Sequence, residues 1–168
     1  MIKAKEMSDP IQPAVRPVRF EEGSDLLIAG LGGRFKQSTV SAIPQLWQRF
    51  KPHIGHVKGQ RSDFTYGVCC NADGKGNFDY IAGVQVADFE MLPTDFQHLK
   101  LKPQRYAVFE HHGSLDNLKD TFQAIWHDWL PTSGERAAQA PEFERYGKDF
   151  NPLDSRSVME IWLPLEPR

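Results

Sequence analysis

The chain reads as an α+β protein of tandem, pseudo-symmetric β-α-β-β repeats: an antiparallel sheet, helices on one face, and a ligand groove between the repeats. Three observations predict this. Gly33, a short polar stretch and Ile43-Pro44-Gln45-Leu46-Trp47-Gln48-Arg49-Phe50 are echoed by Gly113-Ser114 and Phe122-Gln123-Ala124-Ile125-Trp126-His127-Asp128-Trp129. An apolar, strand-like run precedes each copy, Leu26 to Leu31 in one and Tyr106 to Phe109 in the other. Two more strand-like runs follow each helix. Units placed side by side in this way leave a groove, and such grooves usually hold a ligand.

Residues 1–17 carry three prolines and no apolar period, so they read as a tail with little structure of its own. A single domain then covers 18–168, with repeat one at about 18–87 and repeat two at about 104–166. From Val18 to Leu31 the pattern is that of a strand, with Glu21-Glu22-Gly23 as a break or bulge. Val40, Ile43, Leu46, Trp47 and Phe50 recur at helical spacing. Pro44 must sit in the first turn of that helix, because deeper in it would remove a backbone hydrogen bond and clash with the preceding turn. Phe64–Cys70 and Asp79–Val86 flank the turn-forming Asn71-Ala72-Asp73-Gly74-Lys75-Gly76-Asn77 and predict a hairpin. Residues 87–103 are left as the crossover. In the second copy Ser114 is a candidate N-cap, and Leu115, Leu118, Phe122, Ile125, Trp126 and Trp129 form one apolar stripe. Pro131 and Gly134 end that helix. Phe143-Glu144-Arg145-Tyr146 and Val158–Leu165 read as the last two strands.

Composition narrows the function. A length of 168 residues with 40% hydrophobic content is enough for one sizeable core, and a formal net charge of -2 offers no field for nucleic acid or an anionic membrane. The start, Met1-Ile2-Lys3-Ala4-Lys5-Glu6, is charged where a leader would be apolar, and no run approaches a membrane span. Neighbouring Cys69 and Cys70 make a poor structural disulfide. Together these features predict a cytoplasmic protein. No cofactor pattern is present: Gly74-Lys75-Gly76 lacks the phosphate-loop spacing. His53/His56 and His111-His112 lack the further ligands a zinc site needs, so no metal is expected.

The free face of the sheet supplies the candidate chemistry. Alternation puts Val158, Glu160 and Trp162 on one side of the last strand and Met159, Ile161 and Leu163 on the other. Two readings of Glu160 stand side by side. It faces solvent or pairs with a basic side chain, or it is a lone carboxylate beside an aromatic wall that attracts an organic cation. Tyr66 with Phe64, and Tyr106 with Glu110, share faces of their strands and extend that lining, although aromatic residues in strands are also ordinary core. Trp47 and Trp126 occupy equivalent places in the two helices, where core is again the simpler reading.

An ordered series of segments resembles a known family. Leu46-Trp47, Tyr66-Gly67-Val68, Tyr80-Ile81-Ala82-Gly83-Val84, Tyr106–Gly113, Trp129–Gly134, Phe143-Glu144-Arg145-Tyr146 and Glu160–Leu165 follow the pattern of the GyrI-like effector-binding domain. That domain is the ligand-sensing module of some AraC-type and MerR-type activators, and it also occurs alone, including on integron cassettes. The resemblance spans about residues 18–166. It implies a groove for bulky, often cationic and aromatic drugs, with a glutamate in the last strand as charge partner. Glu160, four residues before Pro164, fits that place. Tyr66 and Trp162, then Phe64, Tyr106 and Trp126, are the expected ligand contacts.

The resulting expectation is a drug-binding or effector-binding protein for hydrophobic cations that makes no direct contact with nucleic acid or membrane. Only about 20 residues precede the domain and no basic stripe is present, so regulation would need a separate protein partner. An exposed sheet edge leaves room for a homodimer. The alternatives are a hydrolase using Glu160 and Tyr66, provided burial raises the Glu160 pKa, and a protein inhibitor of DNA gyrase acting through its surface.

Overall fold

The computed structural model describes residues 15–168, so most of the predicted tail, 1–14, lies outside the described residues. Val15 at its end already packs beneath the second helix. Eight strands form one antiparallel sheet: β1 (Arg19–Gly23), β2 (Leu26–Phe35), β3 (Gln60–Cys70), β4 (Phe78–Val86), β5 (Gln97–Leu101), β6 (Gln104–His112), β7 (Glu142–Tyr146) and β8 (Val158–Leu165). Their order across the sheet is β1-β6-β8-β7-β3-β4-β2-β5.

That order is palindromic. Exchanging each strand of β1–β4 with its counterpart in β5–β8 returns the same sequence read backwards, so a pseudo-two-fold axis passes between β3 and β7. Each half places its short first strand on the other half, β1 against β6 and β5 against β2. The sheet must therefore curl. Ser24-Asp25 alone joins β1 to β2, and Lys102-Pro103 alone joins β5 to β6, yet in each case the joined strands stand six places apart in the order. Laid flat, six spacings cover roughly 29 Å, whereas the three Cα–Cα steps of such a link reach at most about 11 Å.

The two short strands are where the sequence reading and the structure differ. Glu21, Glu22 and Gly23 pair within β1, and the break falls at Ser24-Asp25. The segment read as plain crossover holds β5, whose His98-Leu99-Lys100-Leu101 alternation is too short to stand out.

Curling gives the sheet two different faces. On the inner one Ile28, Val68, Ile81, Leu101, Tyr106, Val108, Phe143 and Trp162 form a buried cluster that draws on both ends of the strand order. Among the described residues no helix contributes to it. The outer face carries both helices. Helix α1 (Ile43–Phe50), with Pro44 in its first turn as expected, buries Leu46 and Phe50 against Ala29, Tyr80, Ala82 and Val84. Helix α2 (Leu118–Gln123) is entered through a tight turn capped by Ser114, whose hydroxyl accepts from the Asp116 amide. It runs on as a wide π-turn over Ala124–Trp129. Leu115, Leu118, Phe122, Ile125 and Trp129 of the predicted stripe pack on Phe109, Met159, Ile161 and Leu163. His111 of β6 secures the start of α2, its Nε2 donating to the Ser114 carbonyl at 2.8 Å and its Nδ1 pairing with the Thr121 hydroxyl at 2.7 Å. No helix among the described residues is long and apolar enough to cross a membrane.

Candidate functional site

Glu160 follows the first of its two readings. Its carboxylate takes Arg19 Nη1 at 2.8 Å, Arg145 Nη2 at 2.8 Å and Nε at 3.0 Å, and the Trp162 indole N–H at 3.0 Å. The expected lone carboxylate is thus corrected to a fully partnered one. Register explains the arrangement: Glu160 stands directly across from Arg145 on one side and from Glu110 on the other, and two arginines offset that like-charge contact. Burial raises its carboxyl pKa, but the bonds from Arg19 and Trp162 and the charge of Arg145 outweigh this, leaving it below the ordinary value. The Glu160–Tyr66 hydrolase reading is conditional on a raised carboxyl pKa, and the displacement runs the other way.

The aromatic wall around Glu160 exists, and the protein's own cations occupy it. The Arg145 guanidinium lies 4.0 Å from the Phe64 ring centroid and 4.9 Å from that of Trp162, with Arg19 at 5.4 Å from Trp162. Tyr66, Tyr106, Phe143 and Trp162 pack on one another, Phe143 and Trp162 stacked at 5.1 Å and Tyr106 edge-on to Trp162 at 5.4 Å. Tyr66, Tyr106 and Trp162 are buried and Phe64 is half-buried. The structure thus brings Glu160, Tyr66, Trp162, Phe64 and Tyr106 together on the inner face. Replacing Glu160 by Gln is expected to lower unfolding stability by about 1–2 kcal/mol in urea denaturation. That is less than for a fully buried pair, because both arginines keep some contact with water.

Trp126 does not join them. It projects from the π-turn that follows α2 on the outer face, and its indole is directed at Glu142 of β7. There, at the seam where the two halves meet, stands a second constellation. Glu142, Glu144 and Tyr146 alternate onto the outer face of β7, beneath the helices. Glu144 is only 7% exposed. Its Oε1 accepts from the Tyr80 hydroxyl at 2.8 Å and the Tyr146 hydroxyl at 2.9 Å. Tyr80 in turn accepts from the Trp47 indole at 3.0 Å, and Trp47 sits edge-on to Tyr146 at 5.6 Å. Trp47 packs on the clusters beneath both helices, so it fills the seam between them.

The electrostatics of this seam are unusual. Glu142 Oε2 is shut off from solvent and has no hydrogen-bond partner. Among the described residues no basic side chain offsets either carboxylate. Burial, together with the neighbouring Glu144, pushes the Glu142 carboxyl up to about 7. Burial also raises Glu144, against the opposing bonds from Tyr80 and Tyr146. The Tyr80 and Tyr146 hydroxyls are driven well above their ordinary value by burial and by the Glu144 charge, so they remain donors. Burial likewise holds the Cys69 thiol, opposite Glu142 on β3, well above its usual range, which disfavours the thiolate. No three His, Cys, Asp or Glu side chains gather as a metal ion would require among the described residues.

One glycine makes this geometry feasible. Gly67 of β3 lies opposite Glu144, and the Tyr80 ring crosses over it to reach the carboxylate. A Cβ at Gly67 would stand 2.0 Å from the Tyr80 hydroxyl and 2.7 Å from Glu144 Oε1. Gly67→Ala is accordingly expected to cost about 1–3 kcal/mol of stability by overpacking, read from a chemical denaturation curve.

Sequence reasoning missed Glu142, Glu144, Tyr80 and Tyr146 as site residues. The signal was the alternation Glu142-Phe143-Glu144-Arg145-Tyr146, which in a central strand must put two carboxylates on the face opposite Phe143.

Known proteins agree with this architecture. Residues 16–166 match the GyrI-like small molecule binding domain. The transcriptional regulator BrlR of Pseudomonas aeruginosa is 31% identical over 133 residues, 78% of this chain and 49% of its own. The chain spans about half the length of that relative, or less in the case of the probable transcriptional regulator YgiV of Escherichia coli. Among solved structures, SAV2435 bound to tetraphenylphosphonium superposes with a TM-score of 0.72 at 18% identity, covering 88% of this chain and 93% of that one. An integron cassette protein of Vibrio cholerae superposes at 0.65 and 18%, covering 90% and 97%. Having the curled eight-stranded sheet with two helices, and a sequence match over nearly all of its length, the chain belongs to the GyrI-like small molecule binding domain family.

Proposed function

We propose that this protein binds hydrophobic, cationic aromatic small molecules at the seam between its helices. Glu144 and Glu142 serve as counter-charges there, and Trp47, Trp126, Tyr80 and Tyr146 as aromatic walls. One observation carries the reading: among the described residues the buried Glu144 and the partly buried Glu142 stand on one face of β7 with no basic partner, and one Glu142 oxygen is shut off from solvent and orphaned. Buried acids in this state are costly unless something else brings positive charge to them. An organic cation does so, and the surrounding rings attract it through their π faces, an effect worth about 2 kcal/mol once water is excluded.

Size and polarity of the ligand follow from the walls. Trp126 is 39% exposed and Trp47 half-buried, so the carboxylates become reachable when one of these indoles turns aside. A strongly hydrated cation such as an alkali metal ion would gain nothing from indole surfaces, whereas an aryl-substituted cation gains both apolar contact and charge. Glu160, the first choice on sequence grounds, is already neutralised by Arg19 and Arg145, and its aromatic surroundings serve as core. Binding at the seam would alter the contacts of both helices, and this change is what a transcription-regulatory partner would read.

The test is a titration with tetraphenylphosphonium and a panel of cationic dyes, following intrinsic tryptophan fluorescence. Saturable binding that Glu144→Gln weakens and Glu160→Gln leaves within about twofold supports the seam. Absence of binding, or sensitivity to Glu160 alone, overturns it.

A further inference from the structure

We infer that the seam exchanges its ligand for a proton: the Glu142–Glu144 pair holds a proton while the site is empty and releases it when a monovalent organic cation enters. This rests on the reading of the seam as a cation site and adds its regulation. The geometry carries it. Glu142 and Glu144 are two residues apart on the same face of β7, Glu144 buried and Glu142 partly buried. Among the described residues the groups that face them are neutral: Tyr146 on the same strand, Cys69 on β3, Tyr80 on β4, Trp47 on α1 and Trp126 on the π-turn that follows α2. The charges that Glu142 and Glu144 bring to the seam are therefore uncompensated from within.

A buried site without a cation is most stable when it carries no net charge. The empty pair meets that requirement only by keeping protons, consistent with the upward displacement of both carboxyl groups by burial. A bound monocation reverses the balance. It favours an ionised carboxylate beside it, and one proton leaving for one cation entering holds the buried charge constant. The two carboxylates titrate as a pair, so the proton belongs to the pair and not to one residue. Affinity for the cation should then fall by up to about tenfold for each pH unit below the titration of the pair and level off above it.

Tetraphenylphosphonium suits the test because its charge does not depend on pH. Calorimetric titration of the wild-type protein in buffers of different ionisation enthalpy counts the protons released. The result expected is close to one proton per cation at pH 6, declining toward none by pH 9. Glu142→Gln removes the carboxyl that burial and the Glu144 charge push up, and is expected to move the midpoint of release about one pH unit or more lower. Release below about 0.2 proton at pH 6 with binding intact overturns the exchange while leaving the cation site standing. An unshifted midpoint in Glu142→Gln also overturns it, because the proton then comes from elsewhere. Failure of the wild-type protein to bind the cation at any pH removes both.

Discussion

Glu144→Gln is expected to weaken tetraphenylphosphonium binding at pH 8 by at least about 30-fold, or about 2 kcal/mol, the lower end of what loss of one partner in a buried charge pair costs. The substitution is nearly isosteric, and the glutamine carbonyl still accepts from Tyr80 and Tyr146, so the walls of the seam keep their places. What disappears is charge alone. A neutral triphenyl compound of similar size should accordingly lose less than about threefold under the same substitution, since its apolar contacts survive. Equal losses for the charged and neutral probes would show that the substitution had reshaped the seam and that Glu144 is not the counter-charge.

The second large effect is on stability. Glu142 is displaced from 4.5 to about 7 in the folded protein. A raised carboxyl means that folding favours the protonated form, so its contribution is complete below the unfolded value and is lost as pH climbs through the folded one. The displacement corresponds to about 3 kcal/mol of stability forfeited between pH 4 and pH 8. Glu142→Gln cannot ionise and escapes this loss. It should be more stable than the parent by about 3 kcal/mol at pH 8 and nearly equal to it at pH 4, compared by urea denaturation at both. A gain of the same size at both pH values would assign the effect to packing.

How much of this could be read in advance depended on whether a feature was local. The two helices, the β3–β4 hairpin and the last strand follow from apolar periodicity and turn residues lying next to one another in the chain. The chemistry around Glu160 was also legible, in that a carboxylate among aromatic rings does attract a cation. What the chain could not reveal is that the cations are Arg19 and Arg145, the former 141 residues away in sequence. Glu144 was hidden for the same reason, since Tyr80 reaches it across 64 residues and only strand order brings β4 and β7 to either side of Gly67. Trp126 falls outside the packed stripe where the helix widens into its π-turn. That irregularity leaves no periodic mark in a sequence.

The exchange of first strands between the halves has a thermodynamic consequence. Neither half can complete its own sheet: β2 lacks an outer neighbour until β5 arrives from the second half, and β6 lacks one until β1 arrives from the first. Partial unfolding that spares one half is therefore penalised twice, and the seam exists only when the whole chain is assembled. Any ligand held there acts by mass action on the global unfolding equilibrium, and occupancy of a site between two helices is registered at both distant edges of the sheet.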